Sequence, residues 1–204
     1  MSLVPSAHPS TESGPAAPPS VAAAVFNAIA DRLATRTDDL VVFTGTGCSF
    51  AEWTVWESVT ALHGHRAGED VGGSGSGWTV QPHPRYAEMG VTGSRETADL
   101  LVFDPASGRR VLVELAILQD WSRNKWIDML DGDTERLGRA IATDVVPLQI
   151  VIAASLVSAI EVNPVWQQWL GMSKIWCRPT SLHRAMALGP VGQLTIQGWV
   201  AGDQ

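Results

Sequence analysis

The run "ETADLLVFDPASGRRVLVELAILQDW", Glu96 to Trp121, has a carboxylate at the head of one hydrophobic segment and another inside the next: Asp99 and Glu114. "ADLLVF" and "RVLVELAIL" have the composition and length of strands. "DPASGR" between them is a hairpin turn, with Gly108 at the position that tolerates positive φ. Alternation along the second strand puts Val111, Val113 and Leu115 on one face and Leu112, Glu114 and Ala116 on the other. An antiparallel pairing can bring Asp99 and Glu114 close together, where two ionised groups repel. A hard divalent cation, Mg²⁺ or Mn²⁺, removes that repulsion and needs only one or two carboxylates plus waters. Such a site can activate water for attack on a phosphodiester. Plainer uses exist for both residues. Asp99 can open its strand and cap a turn, and Glu114 can pair with Arg95 or Arg123 or lie on an exposed face. Glu114 is the more informative of the two, because burying a carboxylate without a partner costs several kcal/mol.

Other reactive residues form weaker patterns. Cys48 precedes a helix in "TGCSFAEWTVW", and a helix N-terminus favours a thiolate. With His83 or His183 as base it makes a cysteine-dependent hydrolase a third reading. "TGTG" lacks the glycines and the GK[ST] ending of a phosphate loop and reads as a turn. His63 and His65 stand without the partners a zinc site needs. "DMLDGDTE" reads as a solvated helix face. The chain has nine tryptophans. Trp53, Trp56, Trp121 and Trp126 bracket the carboxylates in sequence, and Trp166, Trp169, Trp176 and Trp199 crowd the C-terminal part. Core filling is their ordinary use. "WQQW", with tryptophans at i and i+3, suits a docking surface for a protein partner or a second copy.

These residues need a scaffold, and the chain is long enough to supply one. It has 204 residues, 45% hydrophobic and 17% charged, which fits a globular domain. The net charge of −7 excludes a generally basic nucleic-acid binder but not a local arginine-lined groove. Lys125 and Lys174 are the only lysines. Two cysteines make no disulfide framework, and the start has neither the basic nor the apolar region of a signal peptide. These features, with no long apolar span, point to a cytoplasmic protein with no membrane association. Residues 1–20, rich in Pro, Ala and Ser, read as a disordered tail before a single domain over 21–204.

"VAAAVFNAIADRLATR" has apolar spacing that predicts a helix. "DLVVF" reads as a short strand or as the segment that docks the chain on the core. Ser49 and Glu52 form a capping box for a second helix. "GEDVGGSGSG" is a flexible loop and "WTVQPHPRY" an extended edge segment. After the hairpin, helical periodicity begins near Ser122, with a possible kink at Gly132. "PLQIVIAAS" is a strand covered on both faces. "NPVWQQWLGM" is a short helix capped by Asn163 with Pro164 at its first position. "GQLTIQGWVA" is a closing strand. The fold class is α/β, a mixed β-sheet flanked by helices.

This order of elements resembles the PD-(D/E)XK nuclease superfamily, the restriction-endonuclease-like fold. Its core is a helix often carrying a glutamate, a hairpin with Asp on one strand and (D/E)-X-K on the next, then a helix and a strand. The resemblance spans roughly residues 50–155. It implies a restriction-endonuclease-like sandwich and a metal-dependent nuclease acting on nucleic acid, DNA above RNA. Asp99 and Glu114 would hold Mg²⁺ or Mn²⁺, Glu57 on the first helix would support the metal or its water, and Arg85, Arg95, Arg109 and Arg110 would contact phosphates. Ala116 stands where the motif has lysine. Lys125, on the following helix, is the implied substitute. The alternative is a catalytically inactive relative serving as a binding or assembly subunit.

Overall fold

The computed structural model describes residues 20–64, 77–121, 126–140, 142–175, 178 and 182–200. Residues 1–19 of the expected tail, most of the glycine-rich loop, His65, Lys125, Arg123 and Trp176 lie outside the described residues.

Three helices come first: α1 (Val21–Ala34), α2 (Thr37–Thr46) and α3 (Ala51–Gly64). Val25, Ile29 and Leu33 recur every four residues and are buried, which gives α1 one apolar stripe, and the Ser20 hydroxyl caps it by accepting from the Ala23 N–H. "DLVVF" is neither strand nor docking segment. It lies inside α2, with Leu40 and Thr44 facing inward one turn apart and Val42 60% exposed. Asp38 and Asp39 favour its first turn, and Gly47, at φ +68°, ends it in the left-handed conformation. Those end signals decide a segment too short for its apolar period to be read. The capping box is not used by Glu52. Its carboxylate accepts from Trp56 Nε1 at 2.7 Å and lies 3.3 Å from His83 Nε2.

The sheet has six strands: β1 (Thr79–Pro82), β2 (Leu100–Asp104), β3 (Arg109–Gln119), β4 (Val145–Ser155), β5 (Leu182–Leu188) and β6 (Gly192–Val200), ordered β1-β2-β3-β4-β6-β5. The hairpin forms as expected, β2 against β3 antiparallel, with Gly108 at φ +68° closing the turn. β3 and β4 are parallel, joined over the sheet by α4 (Trp126–Gly138), which runs through Gly132 unbroken. The other pairings are antiparallel, so the sheet is mixed. Asn163 caps α5 (Pro164–Leu170) by accepting from the N–H groups of Val165 and Trp166. β5 has no counterpart among the sequence expectations. It is an edge strand whose side chains are mostly exposed, so it lacks the apolar alternation that would reveal it.

The sheet divides two unlike layers. On one face Val111, Val113, Leu115, Leu148, Ile150, Ile152 and Ile196 pack against α1 and α3 in one apolar core. α1 comes so close that a Cβ on Gly198 would lie 2.8 Å from the Phe26 ring. On the other face, α4 and α5 cover Ala116, Val151 and Ala153. Beside them a 3-10 turn, Tyr86–Met89, covers Leu101 and Leu112. Trp126, Trp166 and Trp199 are buried there, with Trp169 edge-on to Trp166 at 5.7 Å. Of "WQQW", Trp166 lies in the core and Trp169 is half-buried at its edge. No helix among the described residues is long and apolar enough to cross a membrane.

Candidate functional site

Leu100 stands opposite Val113, so the next residue back, Asp99, stands opposite Glu114 on the second face. The backbone closes this corner: the Asp99 N–H donates to the Val113 carbonyl at 3.2 Å, and the Leu115 N–H donates to Asp99 Oδ2 at 2.6 Å. The hairpin register thus brings the two carboxyls close enough for the charge of Asp99 to act on Glu114. Glu114 is only 3% exposed, which rules out a solvent-facing role. Its ion-pair partner is neither Arg95 nor Arg123. Glu114 Oε1 accepts from Tyr86 Oη at 2.7 Å and from Arg136 Nε at 3.3 Å.

Tyr86 comes from the 3-10 turn after β1, and Arg136 from α4. Arg136 also binds Asp133 through Nη2. The two are three residues apart on α4 and share a face. Asp133 is 4% exposed because it occupies a place in the buried stripe Trp126, Leu130, Asp133, Leu137. "DMLDGDTE" is accordingly not a uniformly solvated face. Gln149, opposite Glu114 on β4 and 2% exposed, lies beside Asp133, yet its amide makes no well-formed hydrogen bond among the described residues.

Burial dominates the electrostatics here. It pushes the Glu114 carboxyl up to about 8, and the charge of Asp99 pushes the same way. Asp99 is raised as well, chiefly by burial, against the pull of the Leu115 N–H. Asp133 is pushed up to about 6 by burial, with Arg136 opposing. Burial also works against the Arg136 charge, but Asp133 and Glu114 outweigh it and raise its affinity for the proton. Tyr86, desolvated and facing Glu114, is held well above its ordinary value and stays a phenol, a donor. His83 adds backbone strain. At φ +50° it is the one non-glycine residue in the left-handed region among the described residues, and its N–H donates to the Asp99 carbonyl at 3.0 Å.

The other expected residues are elsewhere. Glu57 sits on α3, which packs on the opposite face of the sheet, and its carboxylate is held by Arg32 at 2.6 Å and Arg36 at 3.4 Å. Ala116 is fully buried in the α4–α5 core. Arg85 and Arg95 are exposed in the segments leading to β2, where Arg85 bridges to Thr97. Arg109 and Arg110 are at the hairpin turn, roughly 13 to 17 Å along the strand from Glu114 at about 3.3 Å per residue. Arg110 is committed to Asp144, at 2.6 and 2.9 Å. The four arginines do not converge on one groove. Cys48 is exposed beyond the end of α2, while His83 is paired with Glu52 and His183 with Glu161, so no cysteine–histidine pair assembles among the described residues.

Tyr86, Asp133, Arg136 and Gln149 are the members that sequence reasoning missed. Gln149 interrupts an apolar strand as Glu114 does, and Asp133 interrupts an apolar helical stripe. Tyr86 and Arg136 carry no such local mark.

The donor set is all oxygen, which suits a hard divalent cation that keeps several of its waters. The carboxyl pair has raised proton affinity, so a cation could replace the proton that now relieves its repulsion. Among the described residues no group of three or more His, Cys, Asp or Glu side chains is placed to hold an ion. Comparison of the chain with protein-family models, with curated proteins and with solved structures yields no match.

Proposed function

We propose that the protein is a metal-dependent nuclease of the restriction-endonuclease-like kind, hydrolysing phosphodiester bonds of nucleic acid, DNA above RNA. The observation that carries this reading is the pairing of buried Glu114 with half-buried Asp99 on a β-hairpin that continues through α4 into a parallel strand. Asp99 and Glu114 would hold Mg²⁺ or Mn²⁺. When bound there, the cation supplies a water nucleophile at neutral pH and a counter-charge for phosphate oxygens. Arg136 keeps a positive charge at the pair even though Ala116 replaces the motif lysine. Arg85 and Arg95 are the phosphate contacts compatible with this end of the hairpin, and Lys125 remains the expected further cation.

One observation favours the second reading, an inactive binding or assembly subunit. Glu114 is already satisfied by Tyr86 and Arg136, as a structural carboxylate would be.

Calorimetric titration of Mg²⁺ and Mn²⁺ into the wild type, Asp99→Asn and Glu114→Gln, with cleavage assays on DNA and RNA, separates the two. Binding and cleavage that both vanish in the variants support the nuclease. Binding without cleavage at saturating metal selects the inactive subunit. No binding at millimolar metal overturns the metal site.

A further inference from the structure

The two carboxylates are each tethered by one oxygen. Asp99 Oδ2 is engaged by the Leu115 N–H, and Glu114 Oε1 by the Tyr86 hydroxyl and Arg136 Nε. Asp99 Oδ1 and Glu114 Oε2 take none of these three bonds. The tethers come from three different places: the hairpin backbone, the turn after β1, and α4. Tyr86 is the chain's one tyrosine, buried to 1% exposure, so its hydroxyl has little alternative to the carboxylate it meets. Arg136 is itself fixed, because a guanidinium shared between Glu114 and Asp133 cannot rotate without losing one of them.

We infer that Tyr86 and Arg136 are positioning residues for a divalent cation, holding Glu114 by one oxygen so that its other oxygen and the Asp99 oxygen not bound by Leu115 serve as the ligands. The inference rests on the metal-site reading above. Donors that orient a ligating carboxylate raise metal affinity without touching the metal, and their loss typically weakens binding about 10- to 100-fold. Asp133 extends the same chain one step outward, since it sets the direction of the Arg136 fork. The arrangement assigns a role to the one tyrosine and to an arginine that no strand or motif singles out. It also accounts for a buried phenol in a wall otherwise lined by Met89, Leu101 and Leu112.

The test is Mn²⁺ affinity, read from free-ion electron paramagnetic resonance, for the wild type, Glu114→Gln, Tyr86→Phe and Arg136→Lys, each checked by thermal unfolding. Tyr86→Phe removes one oxygen and leaves the ring, so the fold is retained. The expected result is Mn²⁺ binding by the wild type, loss in Glu114→Gln, and about 10- to 100-fold weaker binding in folded Tyr86→Phe. Arg136→Lys keeps the charge but not the fork, and should fall between wild type and Tyr86→Phe. A purely structural tyrosine would lower the melting temperature and leave Mn²⁺ affinity alone. Wild-type affinity in both Tyr86→Phe and Arg136→Lys, with Glu114→Gln defective, overturns the positioning role and leaves the metal site standing. No Mn²⁺ binding by the wild type overturns both.

Discussion

The two faces of the sheet are built from the same strands and solve different problems. Toward α1 and α3, β3 and β4 present Val111, Val113, Leu115, Leu148, Ile150 and Ile152, with nothing to satisfy but volume. Toward α4 and the 3-10 turn, the same strands present Glu114 and Gln149, met by Asp99, Asp133, Arg136 and Tyr86. The first face gains from every methylene buried. The second gives up part of that gain to hold three carboxyl groups beside one guanidinium, an arrangement in which burial opposes every charge. A protein selected for stability alone could replace such a cluster with apolar side chains at little cost or some benefit. Its presence on one face only is the main physical reason to look for function there.

The largest expected effect follows from protons on the second face. Folded Glu114 titrates near 8 against an ordinary 4.5. Between those values the folded chain holds a proton that the unfolded chain has released, so unfolding free energy should fall as pH rises through that window. The loss should be complete above it and amount to at most roughly 5 kcal/mol at about 1.36 kcal/mol per pH unit. Asp133, raised to about 6, acts in the same direction lower in the range. Denaturant unfolding from pH 4 to 9 tests this. Glu114→Gln should flatten the curve and be more stable than wild type at pH 9. A wild-type curve that rises across the window would mean that Glu114 is ionised in the folded state and well solvated.

Next come paired substitutions, one on each face. Phe26→Ala removes a ring buried against Gly198 and should cost about 3 to 5 kcal/mol through the cavity it leaves. Arg136→Leu keeps a side chain of similar size yet leaves Asp133, ionised near neutral pH, without its cation, which should cost about 3 kcal/mol there. The two should differ in pH dependence. The Phe26→Ala penalty should be flat with pH. The Arg136→Leu penalty should shrink toward pH 4, where Asp133 and Glu114 are protonated with or without the arginine. Parallel penalties at pH 4 and 8 would mean that Arg136 acts through packing alone.

The same contrast sets how much of the molecule could be read from its residues. The apolar face was legible: α1 carries a helical stripe, and the hairpin strands, β4 and β6 are apolar runs that are buried along nearly their whole length. α2 and β5 were not, since α2 is short and identified by its ends, and β5 is an exposed edge. In the site, Asp99 and Glu114 were legible as carboxylates where an apolar strand should exclude them. Their partners were not, because Tyr86 and Arg136 reach Glu114 only through folding, and the i,i+3 pairing of Asp133 with Arg136 does not point to a strand. Glu57 misled for the complementary reason. A glutamate on a helix before the hairpin fits the motif order, but motif order does not say on which side of the sheet that helix packs.

Glu57→Gln is therefore the smallest effect and the sharpest test of the two-face description. Glu57 binds Arg32 and Arg36, both more exposed than Glu57 itself, so the pairs are partly screened. Removing the charge while keeping a hydrogen-bonding amide should cost about 1 kcal/mol. The change should add to that of Glu114→Gln, because the residues lie on opposite faces and share no partner. Mn²⁺ affinity should match wild type. Weaker Mn²⁺ binding in Glu57→Gln, or a stability change that fails to add, would show that α3 reaches the carboxyl pair in solution. The motif order would then describe the site better than the packing does.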